Sequence, residues 1–103
     1  MTKFRVDVHG KNYSLDVMRK RFFFLRTFEK RAVGFYTTRF IEAETANDAI
    51  ETVFSLLRSE LCNAGRQTEH SNLELKAIQE DEVGFDRNAP GGGFTFYDQS
   101  SSE

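Results

Sequence analysis

Residues 32–63 read AVGFYTTRFIEAETANDAIETVFSLLRSELCN, and within them the spacing of the apolar side chains changes. Up to Ala43 the segment is rich in aromatic and β-branched residues, which suit a pleated surface. In an extended chain Phe35, Thr37 and Arg39 share one side, and Tyr36, Thr38 and Phe40 share the other. A long strand is therefore predicted. From Ala46 the period lengthens: Ala46, Ala49, Ile50, Val53, Leu57 and Leu61 recur every three or four residues, with Phe54 and Leu56 widening the stripe. Thr45, with Asp48 three residues on, caps such a helix at its start, and Gly65 suits its end because glycine enters the left-handed region freely. The spacing predicts a helix over 46–63.

On the N-terminal side, Phe4, Val6 and Val8 alternate with Arg5, Asp7 and His9, as in a half-buried strand. Gly10-Lys11-Asn12 is a turn signal, and Tyr13, Leu15 and Val17 resume the alternation, so a hairpin is expected here. Residues 18–31, MRKRFFFLRTFEKR, are expected as a strand because consecutive Phe favour one; a helix would instead group Met18, Phe22 and Leu25. On the C-terminal side, residues 66–72 read as a loop. Leu73, Leu75 and Ala77 then define a strand whose alternation Ile78 breaks; a bulge, or a strand end near Ala77, would account for the break. Residues 79–89 read as an acidic loop, and Pro90-Gly91-Gly92-Gly93 leads into Phe94-Thr95-Phe96-Tyr97, a short strand or a segment laid over the core.

The expected fold is α+β: an antiparallel sheet of four to five strands in the order β-β-β-α-β, with a possible short final strand and one helix on one face. One domain over 1–97 suits the length of 103 residues, and 98–103, lacking apolar residues, is expected to be disordered.

Charge and composition narrow the function. Residues 1–41 hold ten Lys/Arg against three Asp/Glu, while residues 42–103 hold four against thirteen. Such a split either polarises the surface or sets opposite charges face to face in the fold. The single Cys62 forms no internal disulfide, and the charged N-terminus and the shortness of Phe22 to Leu25, the longest apolar run, do not suit a signal peptide or a membrane span. A cytoplasmic protein without membrane contact is expected.

No residue pattern points to catalysis, a metal or a cofactor. His9 and His70 are isolated and expected in solvent; Cys62, on the edge of the helical stripe, is expected as a buried or half-buried structural thiol. Glu80, Asp81 and Glu82 are consecutive, which suits a solvated edge rather than a converging pair. Gly91-Gly92-Gly93 precedes an aromatic strand with no Lys nearby in the chain, so it reads as a turn returning Phe94 and Phe96 to the sheet rather than as a phosphate cradle.

Two features invite binding hypotheses. Arg19, Lys20, Arg21, Arg26, Lys30 and Arg31 are interleaved with Phe22, Phe23, Phe24 and Phe28, a mixture that stacks bases and neutralises phosphates, although the pI of about 5.7 argues against a dedicated nucleic-acid binder. The alternative is an edge strand whose cations discourage aggregation. With 11 Phe and 3 Tyr, there are also more rings than one helix covers; Phe22, Phe24, Tyr36, Phe94, Phe96 and Tyr97 are candidates for an interface. Arg39, on an otherwise neutral strand, needs a carboxylate or a ring: either Phe96 or Tyr97 packs beside it as a lid, or Arg39, Tyr36, Thr38 and Tyr97 line a polar groove.

The strand GFYTTRFIEA (34–43), the helix after it and the ending PGGGFTFY (90–97) resemble a group of short bacterial proteins of unassigned function. The basic run 18–31 departs from that pattern. The resemblance implies a bacterial or phage origin and transfers no residue's role. The expected function is a non-enzymatic domain acting through protein contacts, with itself as a homodimer or with another protein; the alternative is nucleic-acid binding through residues 19–31.

Overall fold

The computed structural model describes residues 1–21 and 25–99, with side chains for 1–15 and 31–99. Six elements follow one another: β1 (Thr2–Arg21), β2 (Leu25–Ala43), α1 (Ala46–Asn63), β3 (Asn72–Glu80), α2 (Glu82–Asn88) and β4 (Thr95–Asp98). The strands form one antiparallel sheet in the order β3-β1-β2-β4. The class is α+β, but the element order is β-β-α-β-α-β, with a second helix.

The helix predicted over 46–63 is α1, with the same bounds. Asp48 N donates to Thr45 Oγ1 at 3.1 Å, and Gly65 takes φ +69° just beyond the end. Ala49, Val53, Leu57 and Leu61 are buried against Phe4, Val6, Val8, Tyr13, Val33 and Phe35 in one apolar cluster. Leu56, expected to widen the stripe, points to solvent instead, and so does Cys62, which is exposed rather than structural. Both sit next to a fully buried residue, and the 100° step between neighbours on a helix turns them off the sheet.

The expected N-terminal hairpin does not form; β1 runs on through Gly10-Lys11-Asn12. Its partner β2 pairs Gly10 with Phe35 and Tyr13 with Val33, so Lys11 and Asn12 together oppose Gly34. This is a bulge, not a turn. Asn12 takes φ +62°, which asparagine tolerates, and its backbone O accepts from Thr68 Oγ1 and Ser71 Oγ, each at 2.8 Å. The loop after α1 thus holds the kink that the local sequence presented as a reversal. The expected strand 18–31 is likewise divided: its first part ends β1 and its last part begins β2, with Phe22, Phe23 and Phe24 outside the described residues.

Of the two accounts of the break at Ile78, the bulge is the one present, and the strand does not end near Ala77 but at Glu80. Asp7 faces Ala77 and Val8 faces Leu75, leaving Lys76 as the extra residue, so Ile78 returns to the side of Leu73. The expected acidic loop 79–89 contains the end of β3 and all of α2. Asp81 is the N-cap of α2, accepting from Gly84 N at 2.9 Å, so it does not lie on a merely solvated edge. Heptapeptide helices carry little periodic signal, and here the cap was the only local sign. The expected tail boundary falls inside β4: Asp98 pairs with Val33, and Gln99 N donates to Ala32 O at 3.0 Å. Residues 100–103 lie outside the described residues.

Candidate functional site

Cross-strand partners in an antiparallel sheet project to the same side, so the register sorts the residues into two faces. Phe4, Val6, Val8 and Gly10 with Ile41, Arg39, Thr37 and Phe35 form the face under α1. Lys3, Arg5, Asp7 and His9 with Glu42, Phe40, Thr38 and Tyr36 form the other. At the Lys3 end of this second face lies α2, where Lys3 Nζ meets Asp86 Oδ1 at 2.6 Å and sits 5.2 Å from the Phe85 ring centre. Among the described residues no helix lies over the rest of the second face.

The register settles the two readings of Arg39. It lies on the α1 face, where its guanidinium donates to both carboxylate oxygens of Glu60, at 2.7 and 3.2 Å, and stands 5.4 Å from the Phe94 ring centre. It has both a carboxylate and a ring, but the ring belongs to Phe94 rather than to Phe96 or Tyr97. Tyr36, Thr38 and Tyr97 occupy the opposite face, so the groove with Arg39 does not exist. Phe94 and Phe96 pack around the fully buried Phe35, with centroids 4.9 and 6.0 Å from it. The glycine turn does return these rings to the sheet. Arg39→Met keeps the stem but loses the bidentate pair; a loss of about 1 kcal/mol is expected in urea unfolding, since Glu60 is half in water.

On the open face the structure assembles a group that the sequence did not suggest. His9 is 6% exposed, not solvated. Its ring stacks on Tyr36 at 4.5 Å with an interplanar angle of 8°, and its Nε2 meets the Tyr97 hydroxyl in a short hydrogen bond. Nδ1 points toward Glu74 Oε2 at 3.6 Å, too long for a hydrogen bond, and has no other partner. The neutral tautomer that fits carries its proton on Nδ1 and accepts from Tyr97 at Nε2. Burial, then the charges of Lys11 and Lys76, push the His9 pKa below its ordinary value, while burial raises that of Tyr97 and so keeps its hydroxyl a donor. Lys11, 3.2 Å from Glu74, holds that carboxylate low. Gly34 makes the arrangement possible: a Cβ there would lie 2.2 Å from the Tyr97 ring. The signal available in the sequence was the alternation itself, which puts His9 in the middle of a strand once the hairpin is discarded.

A pH dependence follows. The folded state holds His9 neutral, whereas the unfolded chain takes up a proton near pH 6.5, so acid favours unfolding from about that pH downward. In urea titrations between pH 8 and 5, the stability difference between wild type and His9→Gln should narrow as the pH falls. A difference independent of pH would contradict a neutral buried imidazole.

The other candidate region is the ribbon formed by the distal parts of β1 and β2. Pairing with β3 stops at Lys11 and pairing with β4 begins at Val33, yet β1 and β2 continue together from Leu15↔Arg31 to Arg21↔Leu25, seven pairs. At about 3.4 Å per residue this is roughly 24 Å of two-stranded ribbon. Among the described residues no third strand flanks it. Arg19, Lys20, Arg21, Arg26 and Lys30 all lie in it, with Lys20 facing Arg26 and Asp16 facing Lys30 in register. Their side chains, and residues Phe22 and Phe24, lie outside what is described. Arg31, at the base, is held by Asp98 Oδ2 at 2.6 Å and so is tied to the body. Of the candidate interface residues, Tyr36 and Tyr97 are 48% and 36% exposed on the open face, whereas Phe94 and Phe96 belong to the α1 side.

The charge split is partly neutralised inside the fold: Lys3–Asp86, Lys11–Glu74, Arg31–Asp98 and Arg39–Glu60 each join the basic half to the acidic half. No group of three or more His, Cys, Asp or Glu with metal-binding geometry occurs among the described residues, nor is any of their helices long and apolar enough to cross a membrane. The fold and these surfaces define an α+β domain with an antiparallel sheet, one open face and a projecting ribbon. Comparison with protein-family models, with curated proteins and with solved structures returned no match to this chain.

Proposed function

We propose that this chain is a non-enzymatic interaction domain that associates with a second copy of itself through the ribbon of residues 15–31. The observation that carries the reading is the continuation of β1 and β2 as a bare pair beyond both flanking strands. A two-stranded ribbon is marginal in water on its own, and its outer edges offer rows of free N–H and C=O groups. Eight of the seventeen residues in the sequence from Leu15 to Arg31 are apolar, among them Phe22, Phe23, Phe24 and Phe28. A second copy suits it for two reasons. The ribbon holds six Lys/Arg against two Asp/Glu, a net of +4, which leaves −6 on the rest of a chain whose total is −2. An isologous contact between two ribbons, or between ribbon and acidic body, also closes on itself and leaves no edge to propagate.

Light scattering at about 50 µM should give the mass of a dimer for the wild type. A variant in which residues 16–30 are replaced by Asn-Gly, a favoured two-residue hairpin turn, should give a monomer with a cooperative thermal transition of its own. A monomeric wild type at that concentration overturns the proposal, as does a shortened variant that stays dimeric.

One observation favours a second reading, nucleic-acid binding by the same ribbon. The major groove admits a two-stranded β-ribbon, and all six cations singled out in the sequence lie in this one, with Arg31 at its base. Binding to DNA or RNA that weakens steeply between 50 and 200 mM salt, and disappears with the ribbon, would support it. Binding that persists without the ribbon would not.

A further inference from the structure

The uncovered part of the second face holds a cleft of about 520 Å³ between the sheet and the Gly92-Gly93 turn. Its lining combines Arg5 and Lys76 with Asp7, Tyr36 and the backbone of the two glycines. We infer that this cleft binds a nucleotide unit, with the base against Tyr36 and the phosphate at Arg5 and Lys76.

The ring end is prepared in advance. His9 stacks on one side of Tyr36 and fixes its orientation, and Tyr36 remains 48% exposed toward the cleft. A flat heterocycle is the ligand that gains from a held, half-exposed ring, because every base presents a π face. The anion end is prepared as well. Asp7 Oδ1 accepts from Arg5 Nε at 3.3 Å and from Thr38 Oγ1 at 2.6 Å, and among the described residues neither terminal nitrogen of Arg5 has an acceptor. Lys76 is the extra residue of the β3 bulge, so it is turned out of the ladder into the cleft, and it has no ion-pair partner among the described residues. Gly92 and Gly93 take φ +150° and +78°, with nothing within 4 Å of where a Cβ would be, and Gly93 O accepts from Thr37 Oγ1 at 2.7 Å, which fixes the turn at the rim of the cleft. In the chain these glycines lie far from any Lys; the sheet brings Lys76 and Arg5 to them.

Spacing and size select the ligand. The Tyr36 level of the sheet, at His9, is four residues along β1 from Arg5, about 14 Å, with Lys76 at the intermediate level of Asp7 and Val8. Two cation side chains reaching back from those levels meet a phosphate one sugar away from a base on Tyr36. The volume lies within the range of small-ligand clefts and suits one nucleotide rather than several. Asp7 lines the cleft between Arg5 and Tyr36, and a carboxylate there can accept from a ribose hydroxyl. The same unit is available from a free nucleotide or from a single strand, and the two sources are separable by experiment.

Calorimetric titration of the full chain at low salt with AMP, adenosine, inorganic phosphate and hexa-adenylate tests the inference. AMP should bind saturably, at least tenfold more tightly than adenosine or phosphate alone. Tyr36→Ala should weaken AMP by about tenfold and leave phosphate unchanged, whereas Lys76→Ala should weaken both. Hexa-adenylate more than tenfold tighter than AMP identifies a strand as the source, and equal affinity identifies a free nucleotide. No saturable binding of AMP or hexa-adenylate up to 10 mM overturns the inference, as does AMP binding that neither variant alters. Both variants are at the surface and neither lies within residues 15–31, so loss of AMP binding and loss of the dimer are read in separate experiments.

Discussion

Replacing Gly10 by alanine is expected to destabilise the domain by about 3 kcal/mol, although the same change in an open strand would stabilise it by roughly 0.5–1 kcal/mol. A Cβ at Gly10 would lie 2.1 Å from the Phe35 ring, a distance that no side chain tolerates. Phe35 faces Gly10 across the β1–β2 ladder and fills the space that the missing side chain leaves. The ring has nowhere to retreat. It is fully buried, with Tyr13, Phe94 and Phe96 at centroid distances of 5.1, 4.9 and 6.0 Å. The backbone beside it is held by the Asn12 bulge and the loop that caps it. Urea unfolding of Gly10→Ala, Phe35→Leu and the double variant measures the coupling. Less ring should mean less clash, so the double variant should be more stable than the two single losses added together. An unchanged or raised stability for Gly10→Ala alone would contradict the packing described.

Truncation of Leu57 to alanine is expected to cost about 3 kcal/mol, a large part of the 5–15 kcal/mol that holds a domain of this kind. Leu57 is fully buried at the middle of the α1 stripe, between Val53 and Leu61, which are also enclosed. The sheet beneath offers little means of collapse, because Val6, Val8 and Phe35 are pinned by their own ladders. The cavity therefore stays open, and the loss includes more than the transfer of the missing atoms. Leu56→Ala, one position away and more than half exposed, is the control; it should stay within about 0.5 kcal/mol of wild type. Equal effects at the two positions would mean that the helix is rotated from the orientation described.

The two halves of the molecule differ in how far they could be read in advance. Residues 32–63 carry a change of period that sterics and burial translate directly, and the strand, the helix, its Thr45 cap and its end at Asn63 all follow from local rules. The break in alternation at Ile78 was legible, but a bulge and a strand end near Ala77 fit it equally, and only the pairing of β3 with β1 decides for the bulge. The N-terminal strand was not legible. Gly10-Lys11-Asn12 has the composition of a reversal, and partners far away in the chain, the hydroxyls of Thr68 and Ser71, the His70 carbonyl and the Gln99 side chain, hold Asn12 in a kink instead. A helix as short as α2 has too few residues for a period to show.

For the site, the decisive information is register. Sequence placed Arg39, Tyr36 and Tyr97 on one list of candidates, yet a ladder sends alternate residues to opposite faces, and Arg39 left for Glu60 while the tyrosines met His9. Lys76 and the Gly92-Gly93 turn are distant in the chain and adjacent in the cleft. What the amino-acid sequence determined by itself is the class of fold, the central helix with its buried stripe, and the existence of a basic aromatic run. The pairing of strands decided where that run projects and which polar groups share a face, because each partner of a ladder is chosen by contacts that no local window contains.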